Sequence, residues 1–99
     1  MFVIVVEYTA DLSAVEPVMP AHMEWVDEHY RAGLFLASGR RVPRTGGVVL
    51  AQGELAAVEA AVAADPFTTE GVARSTIIEF TPSRFGGPLD TDAVRAALG

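Results

Sequence analysis

The sequence predicts an α+β plait of order βαββαβ, with four antiparallel strands, two helices on one face of the sheet and a short further helix at the C-terminus. Three observations predict it. Four short apolar runs rich in β-branched residues are bounded by turn residues, and two of the stretches between them carry helical spacing. The 99 residues suffice for one domain with its own core and not for two. With 51% hydrophobic and 20% charged residues, the chain has the balance of an ordered globular protein and not of a disordered segment.

Phe2 to Tyr8 is β-branched and aromatic and meets Thr9-Ala10-Asp11, so it reads as the first strand. Ser13 and Glu16 have capping-box spacing, but Pro17 and Pro20 each lack a backbone N–H and fit best in a first helical turn. One irregular turn is therefore expected, then a helix from about Pro20 to Ala32, stopped by Gly33. Met19, Met23, Val26 and Tyr30 recur at helical spacing and are expected to form its buried stripe, with Glu24, Asp27, Glu28 and Arg31 off it. Leu34 to Ser38 and Gly47 to Gln52 are the second and third strands, joined by a loop that holds Arg40, Arg41 and Arg44 and is longer than a usual hairpin turn. An alanine-rich helix follows from Glu54 to Ala64, with Leu55, Val58 and Val62 on one face, and ends by Asp65 because Pro66 disfavours helical geometry before it. Val72 to Pro82 supplies the fourth strand. Residues 83–99 read as a linker and a short helix starting at Asp90, with Val94 and Leu98 on its apolar side, appended to a domain of residues 1–82.

This element order is that of the ferredoxin-like plait, in which both helices lie on one face. The other face is then expected to carry polar residues, and it does not. Val3 and Val5 alternate with Phe2, Ile4 and Val6, and the second and third strands are likewise apolar on both sides. The expectation is a homodimer packed through the uncovered sheet faces, with the tail from Phe85 to Leu98 crossing onto the partner.

The charge of −6, with seven basic residues that are all arginine, argues against non-specific nucleic-acid binding. No cysteine is present, which excludes disulfides, thiolate chemistry and sulfur-ligated metals. The apolar start has no basic flank and meets Glu7, so it reads as a strand of a cytoplasmic protein that engages no membrane. His22 and His29 lack the i, i+4 spacing of a helical metal site, and no glycine pair precedes a helix that would bind phosphate, so no metal and no cofactor are expected. His22 falls in the first turn of the first helix, where the dipole favours the neutral imidazole that can act as a base. His29 sits at the other end and reads as a solvated residue. Asp65 reads as a residue at the C-terminus of the second helix, where a carboxylate needs a nearby donor or cation; His22 is a candidate that a separation of 43 residues leaves open.

The Pro20-Ala21-His22 helix start, the strand ending in Ser38-Gly39 before a loop to Gly46-Gly47, and Asp65-Pro66-Phe67 followed by Gly71-Val72 occur in an order that resembles the YCII-related (YciI-like) family. The likeness runs from about Phe2 to Pro82. It implies the dimeric α/β barrel arrangement of the muconolactone isomerases, and it implies a catalytic His–Asp pair, carried over to His22 and Asp65. Some relatives are dehydrochlorinases of hydroxylated chloroaromatics. Where relatives usually have Pro after the glycine matching Gly39, this chain has Arg40, then Arg41.

Two functions of different class follow. The first is a cofactor-independent lyase or isomerase, dehydrochlorinase-like, acting on a small aromatic or lactone-like molecule. In it His22 is the acid–base group, Asp65 its orienting partner, Ser38, Gly39 and Arg40 the binders of developing negative charge, and Trp25 and Phe67 the aromatic walls. The alternative is a non-catalytic dimeric module that binds a small molecule unchanged. Either reading requires the homodimer: light scattering at micromolar concentration should give twice the chain mass, and a monomeric mass would remove the face-to-face assembly.

Overall fold

The computed structural model describes residues 1–99. Strand β1 (Phe2–Tyr8) leads to a single helical turn α1 (Leu12–Val15), a 3-10 turn (Glu16–Val18) and the long helix α2 (Met19–Arg31). The hairpin β2 (Phe35–Arg40) and β3 (Gly46–Ala51) follows, then α3 (Leu55–Ala63), a one-turn helix α4 (Pro66–Thr69) and β4 (Ala73–Glu79). A 3-10 turn (Gly87–Leu89) and α5 (Asp92–Leu98) complete the chain. The strands form one antiparallel sheet of order β2-β3-β1-β4, so the α+β ferredoxin-like plait is the fold.

The barrel is not formed. β2 and β4 are the two edges of the sheet and do not pair with each other, so the sheet is open. Four strands, turning by roughly 20 to 25° from one to the next, are too few to bring the edges together; barrels that hold packed side chains have about eight. The implied α/β barrel is corrected to an open four-stranded sheet.

Phe2, Ile4 and Val6 of β1 are buried beneath the helices, together with Val49 and Ala51 of β3. Val15, Trp25, Val26, Val58, Ala61 and Phe67 cover them. Burying each of these larger side chains contributes roughly 1.5–3 kcal/mol. The indole N–H of Trp25 donates to the Ala61 carbonyl at 3.0 Å, which ties α2 to α3 and satisfies the one polar atom that this ring brings into the core.

The stripe expected on α2 is corrected in part. Val26 is buried, but Met23 is 46% and Tyr30 39% exposed, and Trp25 takes the interior position instead. The physical reason is a hollow: Met19, Met23 and Val26 do face the sheet, over a cavity that the core leaves unfilled. Cross-strand register places Val3 and Val5 beside Leu50, Val48, Ile78 and Thr76 on the face that bears no helix. That face is apolar, as the alternation implies, and Ile78 is 51% exposed on it. β2 begins a residue later than expected and runs on to Arg40, because Ser38, Gly39 and Arg40 pair with Val49, Val48 and Gly47.

The close approach of β3 to β1 depends on Gly46, where an added Cβ would lie 1.8 Å from the Val6 carbonyl oxygen; at Gly39 it would meet nothing within 4 Å. Gly46→Ala should therefore lower unfolding free energy in urea by more than about 2 kcal/mol, or abolish folding, while Gly39→Ala changes it by less than about 1 kcal/mol. Equal effects at the two positions would show that this approach does not constrain the sheet.

Candidate active site

Helix α2 opens with Pro20 in its first turn, and His22 follows in that same turn. Asp65 is the N-cap of α4, with Pro66 at the first helical position. This corrects its expected place at the C-terminus of α3: α3 ends at Ala63, and the Asp-Pro dipeptide starts a new helix instead of closing the old one. The dipole concern is thereby reversed, since a carboxylate suits a helix N-terminus.

The two side chains meet. His22 Nδ1 lies 2.7 Å from Asp65 Oδ1, and the same oxygen accepts the Phe67 backbone N–H at 3.0 Å. Asp65 is 1% exposed and His22 14%. A carboxylate so buried is costly unless donors meet it; two converge on Oδ1, while Oδ2 is buried without a partner in the protein. Nδ1 carries the shared proton in the neutral imidazole, which leaves Nε2 as the acceptor. The Phe67 ring stacks on the imidazole at 3.8 Å between centroids and 8° between planes, and Tyr8 meets Phe67 edge-on at 5.8 Å. Cap, stack and hydrogen bond together hold the ring of His22 in one orientation.

His22 borders a cavity of about 250 Å³ between α2 and the sheet. Ser38, Gly39 and Arg40 of β2 line it, with Gly46, Gly47, Val48 and Val49 of β3, Val6 and Tyr8 of β1, and Met19, Met23 and Val26. The strand alternation explains the polar groups. Ser38 pairs with Val49 and Arg40 with Gly47, so both side chains share the helix-covered face, and the absence of a side chain at Gly47 leaves room beside Arg40. Ser38 Oγ and Tyr30 OH are 2.7 Å apart. Arg40 is the one cationic residue of the lining, and Arg41 is not part of it.

The two expected aromatic walls, Trp25 and Phe67, do not line this cavity. Trp25 borders a larger and shallower groove of about 1010 Å³ between α2 and α3, on the far side of its own buried ring, together with His29. Phe67 supports the imidazole from behind and does not line the cavity. Only the smaller cavity brings a paired imidazole, a hydroxyl and a guanidinium together. His29 is partly buried, with Nδ1 2.8 Å from the Trp25 carbonyl and its ring stacked on Phe35, so its solvated reading is corrected as well. Sequence reasoning missed Tyr8, the Tyr30–Ser38 contact and the cap role of Asp65; the Asp-Pro pair was a signal for the last.

No helix is long and apolar enough to cross a membrane. No curated protein matches the chain in sequence. In structure it is similar to the 5-chloro-2-hydroxyhydroquinone dehydrochlorinase of Burkholderia phenoliruptrix AC1100, solved in complex with 2,5-dihydroxybenzoquinone. That likeness has a TM-score of 0.63 at 15% identity, over 81% of this chain and 93% of that one. At that identity it shows a shared fold. The YCII-related domain matches residues 1–81, and the chain belongs to that family.

Proposed function

We propose that the protein is a cofactor-independent acid–base catalyst, a lyase or isomerase acting on a small single-ring aromatic or lactone-like molecule, and that it works as a homodimer through the open sheet face. The observation that carries the reading is the buried Asp65 carboxylate held 2.7 Å from His22 Nδ1 at the edge of a cavity. That arrangement presents Nε2 as a base and supplies the counter-charge for the imidazolium that forms when it takes a proton.

In the proposed reaction His22 Nε2 removes a proton from the substrate, and negative charge builds on a neighbouring oxygen. Arg40 and the Ser38 hydroxyl stabilise that oxygen, the guanidinium by charge and the hydroxyl by donating a hydrogen bond. The electron pair then expels a leaving group such as halide, with the proton left on His22, or the imidazolium returns the proton at another carbon. Elimination and isomerisation thus share one proton-transfer step. A volume of about 250 Å³ is below the usual range for drug-sized ligands and fits a single ring. The fold shared with a dehydrochlorinase supports halide elimination as the first reaction to assay.

Chloride release from 5-chloro-2-hydroxyhydroquinone, and wash-in of solvent deuterium into a panel of small aromatic acids and lactones, test the reading. Turnover should fall at least about 100-fold in His22→Ala and in Asp65→Asn, the scale of a lost general acid–base group. Activity surviving in either variant would remove the dyad mechanism. A ligand bound with no turnover in the native protein would make the non-catalytic binding module the correct reading. Separately, long-range ¹H–¹⁵N NMR of the native protein should show neutral His22 with its proton on Nδ1; a proton on Nε2 would mean that no base faces the cavity.

A further inference from the structure

We propose that Tyr30 is a positioning residue of the cavity: its phenol donates to Ser38 Oγ, which turns the Ser38 hydroxyl proton toward an oxyanion bound beside it. The inference rests on the reading above, in which Ser38 donates to negative charge, and it adds the group that makes Ser38 a donor. Tyr30 lies about two turns beyond His22 on α2, roughly 12 Å along the axis by the helical rise. Its hydroxyl is 2.7 Å from Ser38 Oγ on β2, while Ser38 and His22 both border the cavity. One helix thus brings the imidazole to the cavity near its start and sets a phenol against Ser38 near its end.

The ring and the hydroxyl of Tyr30 have separate partners. The ring packs edge-on against Phe35 at 6.0 Å between centroids, a contact that phenylalanine would make equally well. That contact leaves the hydroxyl unexplained, and the partner of the hydroxyl is Ser38. Nor does Ser38 Oγ satisfy its own backbone, the common role of a serine at a turn or strand end. Its backbone stands in the ladder opposite Val49, and its Oγ bonds Tyr30 alone.

Two hydroxyls that share one hydrogen bond leave one proton over. If Ser38 donates to Tyr30, the cavity meets only the lone pairs of Ser38, which repel an anion. If Tyr30 donates, the Ser38 proton is free and the cavity meets a donor. Two effects favour the second arrangement. A phenol is more acidic than an aliphatic alcohol and is the stronger donor of the two. An oxyanion beside Ser38 gains a charge-assisted bond in that arrangement alone, and a run from phenol to hydroxyl to anion strengthens each of its bonds by polarisation. The lining of the cavity suits such a ligand, since it contains Arg40 and His22 and no carboxylate. Neither hydroxyl gives up its proton, so Tyr30 acts only through Ser38.

Titration with 4-nitrophenolate tests this without requiring turnover: it is a single-ring oxyanion whose absorption band moves to shorter wavelength when its oxygen accepts a hydrogen bond. Tyr30→Phe keeps the ring on Phe35, neither it nor Ser38→Ala alters a core residue, and circular dichroism checks that each variant is folded. The native chain should bind the anion. Each variant should raise the dissociation constant about 3- to 10-fold, the scale of one hydrogen bond, and place the bound band at longer wavelength than in the native complex. The double variant should match Ser38→Ala in both readouts, because Tyr30 has no route to the anion except Ser38. Native-like binding by Tyr30→Phe, or losses that multiply in the double variant, would overturn the role of Tyr30 and leave the acid–base reading standing. Native-like binding by Ser38→Ala would overturn it too, since Ser38 would then be no donor. A native chain that fails to bind the anion at millimolar concentration would overturn the charge-stabilising reading of Ser38 and Arg40, and this inference with it. Absence of chloride release or deuterium wash-in bears on the proposed reaction alone.

Discussion

One oxygen atom organises the candidate site. Asp65 Oδ1 starts α4 by accepting the Phe67 N–H and orients His22 by accepting from Nδ1, so the carboxylate that caps a one-turn helix also sets the chemistry of a residue on a different helix. The coupling is physical. A buried carboxylate is stable only where donors meet it, and the fold brings those donors from α2 and α4 to one point. Phe67 adds to this, since the residue whose N–H the carboxylate binds also stacks its ring on the imidazole. His22, which borders the cavity, is held by the carboxylate at one edge and an aromatic face behind it.

The hollow that His22 borders arises from the way the helices lie on the sheet. Trp25, anchored by its bond to Ala61, and Val26 fill the core where α2 approaches α3. Toward the start of α2 the space under Met19 and Met23 stays open, because Gly47 puts no side chain into it. Arg40 and Ser38 enter the same space from the edge strand, where alternation turns them inward. A basic side chain can face inward there because the site is at the sheet's margin, where the guanidinium keeps access to water. The open face of the sheet is the counterpart of this arrangement. With both helices committed to one side, apolar residues of the other side such as Val48 and Ile78 stay exposed.

The sequence by itself determined the four strands, the two long helices and their order. Period-two and helical spacing gave all four strands and both long helices within a few residues, since those patterns arise from local geometry. The candidate pair was legible only through a resemblance, because 43 residues separate His22 from Asp65 and no spacing rule spans that gap. What the tertiary structure alone decided was which atoms meet. It made Asp65 a cap instead of a helix end, drew Tyr30 to Ser38, placed Trp25 in the core and away from the cavity, and left the sheet open where a barrel was implied. The reason is common to all four: periodicity assigns a side chain to a face, but the filling of that face depends on side-chain volumes and donors contributed from distant parts of the chain.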